Sequence, residues 1–296
     1  MSYLIIDTII LTLQCTVMAC NGLILFMMKR LYKNPSLRLL LFVAITDFLH
    51  AFTTLPYTIY LTVFCISVPI NLNPHYIMFS STPLTIQLKI KLTLTVAIAF
   101  QRALALFLPV FYRQLCSSSY ATASLLLGVS LGCIDLFLEF ALSPIVESPN
   151  CGTIGCFVSD RFLYYWGTSN MVIGFFVIIF TFLILLKLRS IENRSSIVVE
   201  KQMNRFSQAN RTSAGILLTS LLFITIPSVG VGFCEMIGYS IFKRVGPFYT
   251  VGLLCAGTCN GIVYVVLNKD MRRLVISFIS NGAPQSTKLF QSTVNN

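Results

Sequence analysis

Seven stretches of 21 to 28 mostly apolar residues follow one another along the chain, at 4–27, 39–65, 84–108, 120–142, 162–188, 212–239 and 247–267. A bilayer core about 30 Å thick is crossed by roughly 20 apolar residues in a helix. Lipid offers the backbone no hydrogen-bond partner, so each stretch reads as one membrane-spanning helix. The connections hold at most 23 residues (189–211), too few for a second folded domain. Composition agrees: 56% of residues are hydrophobic and 10% charged, with a mean hydropathy of +0.81. A soluble domain averages roughly 25% charged residues, so a soluble enzyme, a disordered chain and a secreted disulfide scaffold are all excluded. The expected fold is an all-α membrane protein, a single seven-helix domain over 1–280. An amphipathic eighth helix is expected at about 268–280 and a disordered tail at 281–296.

Basic residues orient the bundle. With the amino terminus outside, the inner side receives Lys29, Arg30, Lys33, Arg38, Arg102, Arg113, Lys187, Arg189, Arg194, Lys201, Arg205, Arg211, Lys269, Arg272, Arg273 and Lys288, which is 16 of the 21. The outer side keeps Lys89, Lys91, Arg161, Lys243 and Arg244. Short loops biased this strongly place the carboxyl terminus in the cytoplasm. The net charge of +11 is then a membrane-surface feature, each residue contributing on the order of 1 kcal/mol against anionic lipid, and nucleic acid need not be invoked. The first six residues carry no charge, and the first span is expected to act as its own insertion signal.

Polar residues at membrane depth need a reason, since a charge at a helix centre costs roughly 2.5–3.5 kcal/mol. Asn21, Asp47 and Asn260 lie within the first, second and seventh spans. Interhelical hydrogen bonding explains them; a polar cluster that rearranges between two states of the bundle is the sharper alternative. Arg102 closes the third span, followed by Pro109 and Tyr112. Its guanidinium can snorkel to lipid phosphates or face the bundle, and the spacing of Pro109 and Tyr112 favours the second.

These landmarks resemble those of the rhodopsin-like receptors. Arg102 with Pro109 and Tyr112 resembles the arginine motif ending their third helix, Asp47 their second-helix aspartate and Asn21 their first-helix asparagine. The run Asn260-Gly-Ile-Val-Tyr264 looks like their seventh-helix motif. More narrowly, the chain resembles the nematode serpentine chemoreceptors of class BC. The resemblance is carried by Asn34-Pro-Ser-Leu-Arg-Leu-Leu-Leu, Leu106-Phe-Leu-Pro-Val-Phe-Tyr-Arg113, Asn210-Arg-Thr-Ser-Ala-Gly-Ile-Leu-Leu and Gly246-Pro-Phe-Tyr-Thr-Val-Gly-Leu-Leu-Cys-Ala-Gly-Thr-Cys-Asn260. It implies a receptor in the plasma membrane of sensory-neuron cilia that reports a small chemical through a heterotrimeric G protein. Arg102, Gln101, Pro109, Tyr112 and Tyr264 would serve coupling and switching. Four departures count against copying that scheme in detail. Gln101 replaces the acidic neighbour of the arginine and Gly261 the seventh-helix proline. No tryptophan lies near Pro227, and Ile77 stands where those receptors keep a cysteine.

Prolines inside helices remove a backbone bond and kink the chain, so Pro56 and Pro227 are expected kinks. Pro227 is a candidate hinge. Among the cysteines, Cys65, Cys151 and Cys156 face the oxidising side. Either Cys151 and Cys156 close a small loop or Cys65 pins that loop to the bundle, and the second arrangement is expected. Asp135 and Glu139, four apart, share one face of the fourth helix. Lys89 and Lys91 are read at the outer end of the third helix and Glu235 near that of the sixth. The expectation is a lysine–carboxylate pair holding the bundle together; these five residues lining a ligand pocket is the alternative. Tyr57, Tyr60, Tyr164, Tyr165 and Phe233 are candidate aromatic walls. No metal site, cofactor or enzyme motif is found. A ligand-gated channel or a small-solute transporter remains the alternative function, although no internal repeat of the transporter kind is seen.

Overall fold

The computed structural model describes residues 2–28, 38–64, 72–114, 117–148, 151–194, 211–244, 248–268, 271–273 and 275–276. Its seven apolar helices of membrane-spanning length are helix 1 (Ile5–Met27), helix 2 (Arg38–Phe64), helix 3 (Pro74–Phe107), helix 4 (Ser118–Leu142), helix 5 (Asp160–Ser190), helix 6 (Arg211–Met236) and helix 7 (Phe248–Leu267). The bundle end carrying the amino terminus is termed the outer end, after the charge bias. The eighth-helix reading falls largely outside the described residues, of which 271–273 and 275–276 are helical. The tail reading at 281–296 lies wholly outside them.

The side-chain pattern is that of a protein dissolved in lipid. Large apolar side chains point outward from every span, Phe137 being 71% and Leu222 60% exposed. Polar side chains such as Gln14, Asn21, Lys91 and Asn260 are buried between helices. A hydrocarbon solvent rewards this inversion, because a polar group facing lipid finds no partner.

Helix 3 is the axis of the bundle, packing on helices 2, 4 and 5. It begins ten residues before the stretch read from hydropathy. Asn73 caps it, its Oδ1 accepting from the Tyr76 amide at 3.3 Å, and Pro74 follows at the first helical position. A proline there is pre-set for helix and sacrifices no donor the helix needs. Hydropathy missed this turn because Asn73, Pro74 and His75 are polar or helix-breaking. The consequence is large: Lys89 and Lys91 lie midway along helix 3, not at its outer end. Both are buried, which leaves Arg161, Lys243 and Arg244 as the basic residues on the outer side.

Two helices are interrupted near their prolines. Helix 2 breaks at Thr54, two residues before Pro56, and the break is tied to helix 1. Gln14 Nε2 donates to Thr54 Oγ1 at 3.0 Å and Thr58 Oγ1 at 3.1 Å. Helix 6 widens to a π-turn over Leu221–Thr225, where the Ile226 amide donates to Leu221 O, five residues back. The natural donor to the Phe223 carbonyl is the amide that Pro227 lacks. That carbonyl faces Gly252 of helix 7, where an added Cβ would lie 2.5 Å from it.

Helices 5 and 6 approach closely at Gly232. A Cβ there would meet Met171 Cβ at 2.5 Å and Gly167 O at 2.6 Å. Small residues let membrane helices come together, and dispersion is then the main attraction. Gly230, two residues earlier, faces open space. Gly232→Ala is therefore expected to destabilise by about 1–3 kcal/mol through overpacking, whereas Gly230→Ala is neutral. Thermal melting of the two purified variants in detergent separates them, and an equal effect would refute the close seam.

Candidate functional site

Three groups of polar residues lie along the bundle axis, at its middle, its outer half and its inner end. The middle group centres on Asp47, which is 3% exposed on helix 2. The Lys91 ammonium of helix 3 donates to both Asp47 carboxylate oxygens. Asn260 of helix 7 donates from Nδ2 to Asp47 Oδ2 at 3.3 Å. Asn21 of helix 1 reaches helix 7 instead, its Nδ2 donating to Gly257 O at 3.2 Å and to Val17 O at 3.1 Å. At Gly257 a Cβ would lie 3.3 Å from Val17 Cγ1 of helix 1 and 3.5 Å from Asp47 Cβ, so helices 1, 2 and 7 meet beside the carboxylate. The structure thus gathers Asn21, Asp47 and Asn260 as one cluster and adds two residues to it. One is Lys91. The other is His50, a helical turn beyond Asp47 and within the electrostatic reach of Lys91. Neither of its ring nitrogens has a hydrogen-bond partner among the described residues.

The move of Lys91 out of the candidate ligand pocket has a geometric cause. Residues two apart on a 3.6-residue helix point in nearly opposite directions. With Lys91 aimed at helix 2, Lys89 must aim at helices 4 and 5. Lys89 Nζ lies 3.1 Å from Asp135 Oδ2 and donates to Ser169 Oγ at 2.6 Å. Tyr165 OH donates to Asp135 Oδ1 at 3.0 Å. Lysine and carboxylate satisfy one another, as buried charges require.

Glu139 follows Asp135 by one turn, with Thr85 beside its carboxylate. It lines a small cavity with Ser81, Phe162, Trp166 and Phe242. A neighbouring cavity is lined by Tyr57, Trp166, Phe242, Tyr249 and Thr250. The centre of a water-sized sphere can occupy about 20 Å³ in each. Ile154 borders both, from the connection between helices 4 and 5. This connection carries a disulfide joining Cys151 to Cys156. The small loop therefore forms, and the expected bridge from Cys65, a residue outside the described set, does not. Apolar packing holds the loop down: Ile77, Met78, Phe157 and Cys156 share one cluster. Gly155 seats against helix-connecting backbone, where a Cβ would lie 2.5 Å from Phe242 O.

Of the candidate aromatic walls, Tyr57 lines a cavity and Tyr165 bonds Asp135, but Tyr164 and Phe233 face outward. Tyr60 packs on Phe64 and Tyr76. The actual walls are Phe162, Trp166, Phe242 and Tyr249, with Trp166 centred 5.1 Å from Phe242 and 5.5 Å from Tyr249. Glu235 lies apart, its Cγ against Gly167 at 3.1 Å of a built Cβ. It is buried near Lys243, which pairs with Asp160 at 2.5 Å.

At the inner end Arg102 is 5% exposed, so its guanidinium faces the bundle and does not snorkel. Tyr112 and Tyr264 lie in its electrostatic neighbourhood, and Gln101 beside it is buried. Among the described residues no carboxylate forms a salt bridge with Arg102. Helix 3 ends at Leu108, and Pro109 opens a short helix, Pro109–Gln114, that carries Tyr112 back towards the arginine.

A seven-helix bundle with apolar outward faces and a charged axis defines a multi-pass membrane protein. The family model described as serpentine type 7TM GPCR chemoreceptor Srbc matches residues 1–270, and the chain belongs to that family. Comparison with curated proteins finds no significant match. The family is one of receptors, not of enzymes.

Removing one member of a buried ion pair strands the other and costs about 3–5 kcal/mol, whereas replacing both is close to neutral. Asp47→Asn and Lys91→Met are each expected to lower the melting temperature sharply. The double variant is expected to melt above both single variants. Additive losses in the double variant would show that the two residues do not act as a pair.

Proposed function

We propose that this chain is a chemosensory receptor of the plasma membrane, with its amino terminus outside. It binds a small environmental chemical in the outer cavity and activates a heterotrimeric G protein at its cytoplasmic end. Sensory-neuron cilia are the location that family membership suggests. The observation that carries the reading is Arg102. A guanidinium withdrawn from solvent, with no carboxylate pairing it among the described residues, is an expensive feature for a merely structural helix end. It is available to a partner that enters from the cytoplasm when the inner end opens.

The break in helix 6 supplies the moving part. The π-turn at Leu221–Thr225 and the missing amide of Pro227 leave helix 6 weakly bonded at that level. Its inner half can therefore swing while its outer half stays packed on helix 5 at Gly232. A ligand favouring the open form shifts the population in proportion to its differential affinity. The basic connection between helices 5 and 6, with Lys187, Arg189, Arg194, Lys201, Arg205 and Arg211, is where a docking helix would meet the receptor.

Arg102→Ala, displayed at the surface at the level of the natural chain, is expected to lose the second-messenger response to an activating chemical. Calcium or cyclic-nucleotide readout during a ligand screen measures this directly. Undiminished signalling by the displayed variant would refute the coupling role.

A further inference from the structure

Among the described residues, the outer half of the bundle holds a buried carboxylate that no basic side chain pairs with. Lys89 and Asp135 neutralise each other at 3.1 Å, and deeper in the bundle Lys91 and Asp47 do the same. Glu139 is 1% exposed, and among the described residues no basic group forms a salt bridge with it. Its Oε2 has no hydrogen-bond partner there. Burying a charged carboxylate without a cation is costly, and a cation entering beside it offsets that cost. Glu139 lines the first cavity, whose other lining residues include Phe162, Trp166 and Phe242, with Ser81 and Thr85 as hydroxyls, Thr85 hydrogen-bonded to Glu139. Phe162 and Trp166 stack with centroids 6.0 Å apart, and Trp166 lies 5.1 Å from Phe242. Aromatic faces attract organic cations, tryptophan most strongly. Hydroxyls beside a carboxylate add acceptors for N–H groups and offer nothing to a second anion that the carboxylate would not repel.

We propose that this cavity binds a compact alkylammonium ion, with its N–H donating to Glu139 and its alkyl groups against the aromatic walls. The small space excludes bulky amines and selects ligands of a few carbon atoms. Lys89 is committed to Asp135 and Ser169 and leaves Glu139 to another partner. The claim that such binding is a signal rests on the receptor reading above; the binding itself does not.

The test uses the purified full chain in detergent with methylammonium, dimethylammonium and trimethylammonium, and with tert-butanol as an uncharged analogue of similar size. The ammonium ions are expected to raise the melting temperature and tert-butanol is not. Truncating one side of a buried charge pair weakens binding by roughly 30-fold or more, and Glu139→Gln is expected to do so. Glu139→Asp, which keeps the charge, should retain part of the affinity; it serves as the test if the glutamine variant does not fold. No stabilisation by any of the three amines, equal stabilisation by tert-butanol, or undiminished binding by Glu139→Gln overturns the proposal. The same compounds applied to cells displaying the chain separate the two claims. Amine binding with no second-messenger response leaves this proposal standing and counts against the receptor reading. A response to uncharged chemicals alone does the reverse.

Discussion

The ion pair between Asp47 and Lys91 is the constraint on which the arrangement of the bundle depends. Neither charge is tolerable alone among apolar helices, so helices 2 and 3 can pack only in the rotation that joins them. That rotation settles the rest of helix 3. Lys89, nearly opposite Lys91 around the helix, is turned towards helix 4 and finds Asp135. Helix 7 closes over the pair through Asn260, with Gly257 packed beside Asp47. One electrostatic requirement thus sets the register of four helices, where apolar packing alone would accept several.

Much of this was legible in the sequence, for reasons that differ by residue. The spans were readable because lipid imposes a length and a composition on each, and the resemblance to rhodopsin-like receptors rested on Asn21, Asp47, Arg102 and Asn260 in that order. Asn21, Asp47 and Asn260 had to face inward, and they converge. The partner of Asp47 was harder to read, because hydropathy placed both lysines near a helix end. The helix begins ten residues earlier, at the Asn73 cap. A signal was nonetheless present: lysines two apart on a helix cannot share a partner, and two buried carboxylates on different helices were available.

The cavity walls were less legible. Trp166, Phe242 and Tyr249 lie in three separate segments, and nothing local distinguishes them from aromatics such as Tyr164 that face outward. Phe242 reaches the cavity from a short connection, held there by the contact of Gly155 with its carbonyl. The disulfide was misread for a related reason. Two cysteines five apart can close a loop by themselves, and Ile77, in the place of the cysteine of other receptors, anchors that loop by apolar packing.

Helix 7 touches each of the places where the bundle departs from simple packing. Tyr249 borders the outer cavity, Gly252 receives the Phe223 carbonyl freed by Pro227, Gly257 and Asn260 meet the ion pair, and Tyr264 lies near Arg102. Their spacings of three to five residues put them along one inward stripe. Phe248–Leu267 is continuous helix without proline, so any rigid-body shift of it moves all of these contacts together. A displacement at Tyr249 would therefore reach the helix 6 break, the central pair and the buried arginine through one stiff element. No chain of separate side-chain movements is needed. The aspartate–lysine pair resists such a shift, because Asn260 is bonded to it.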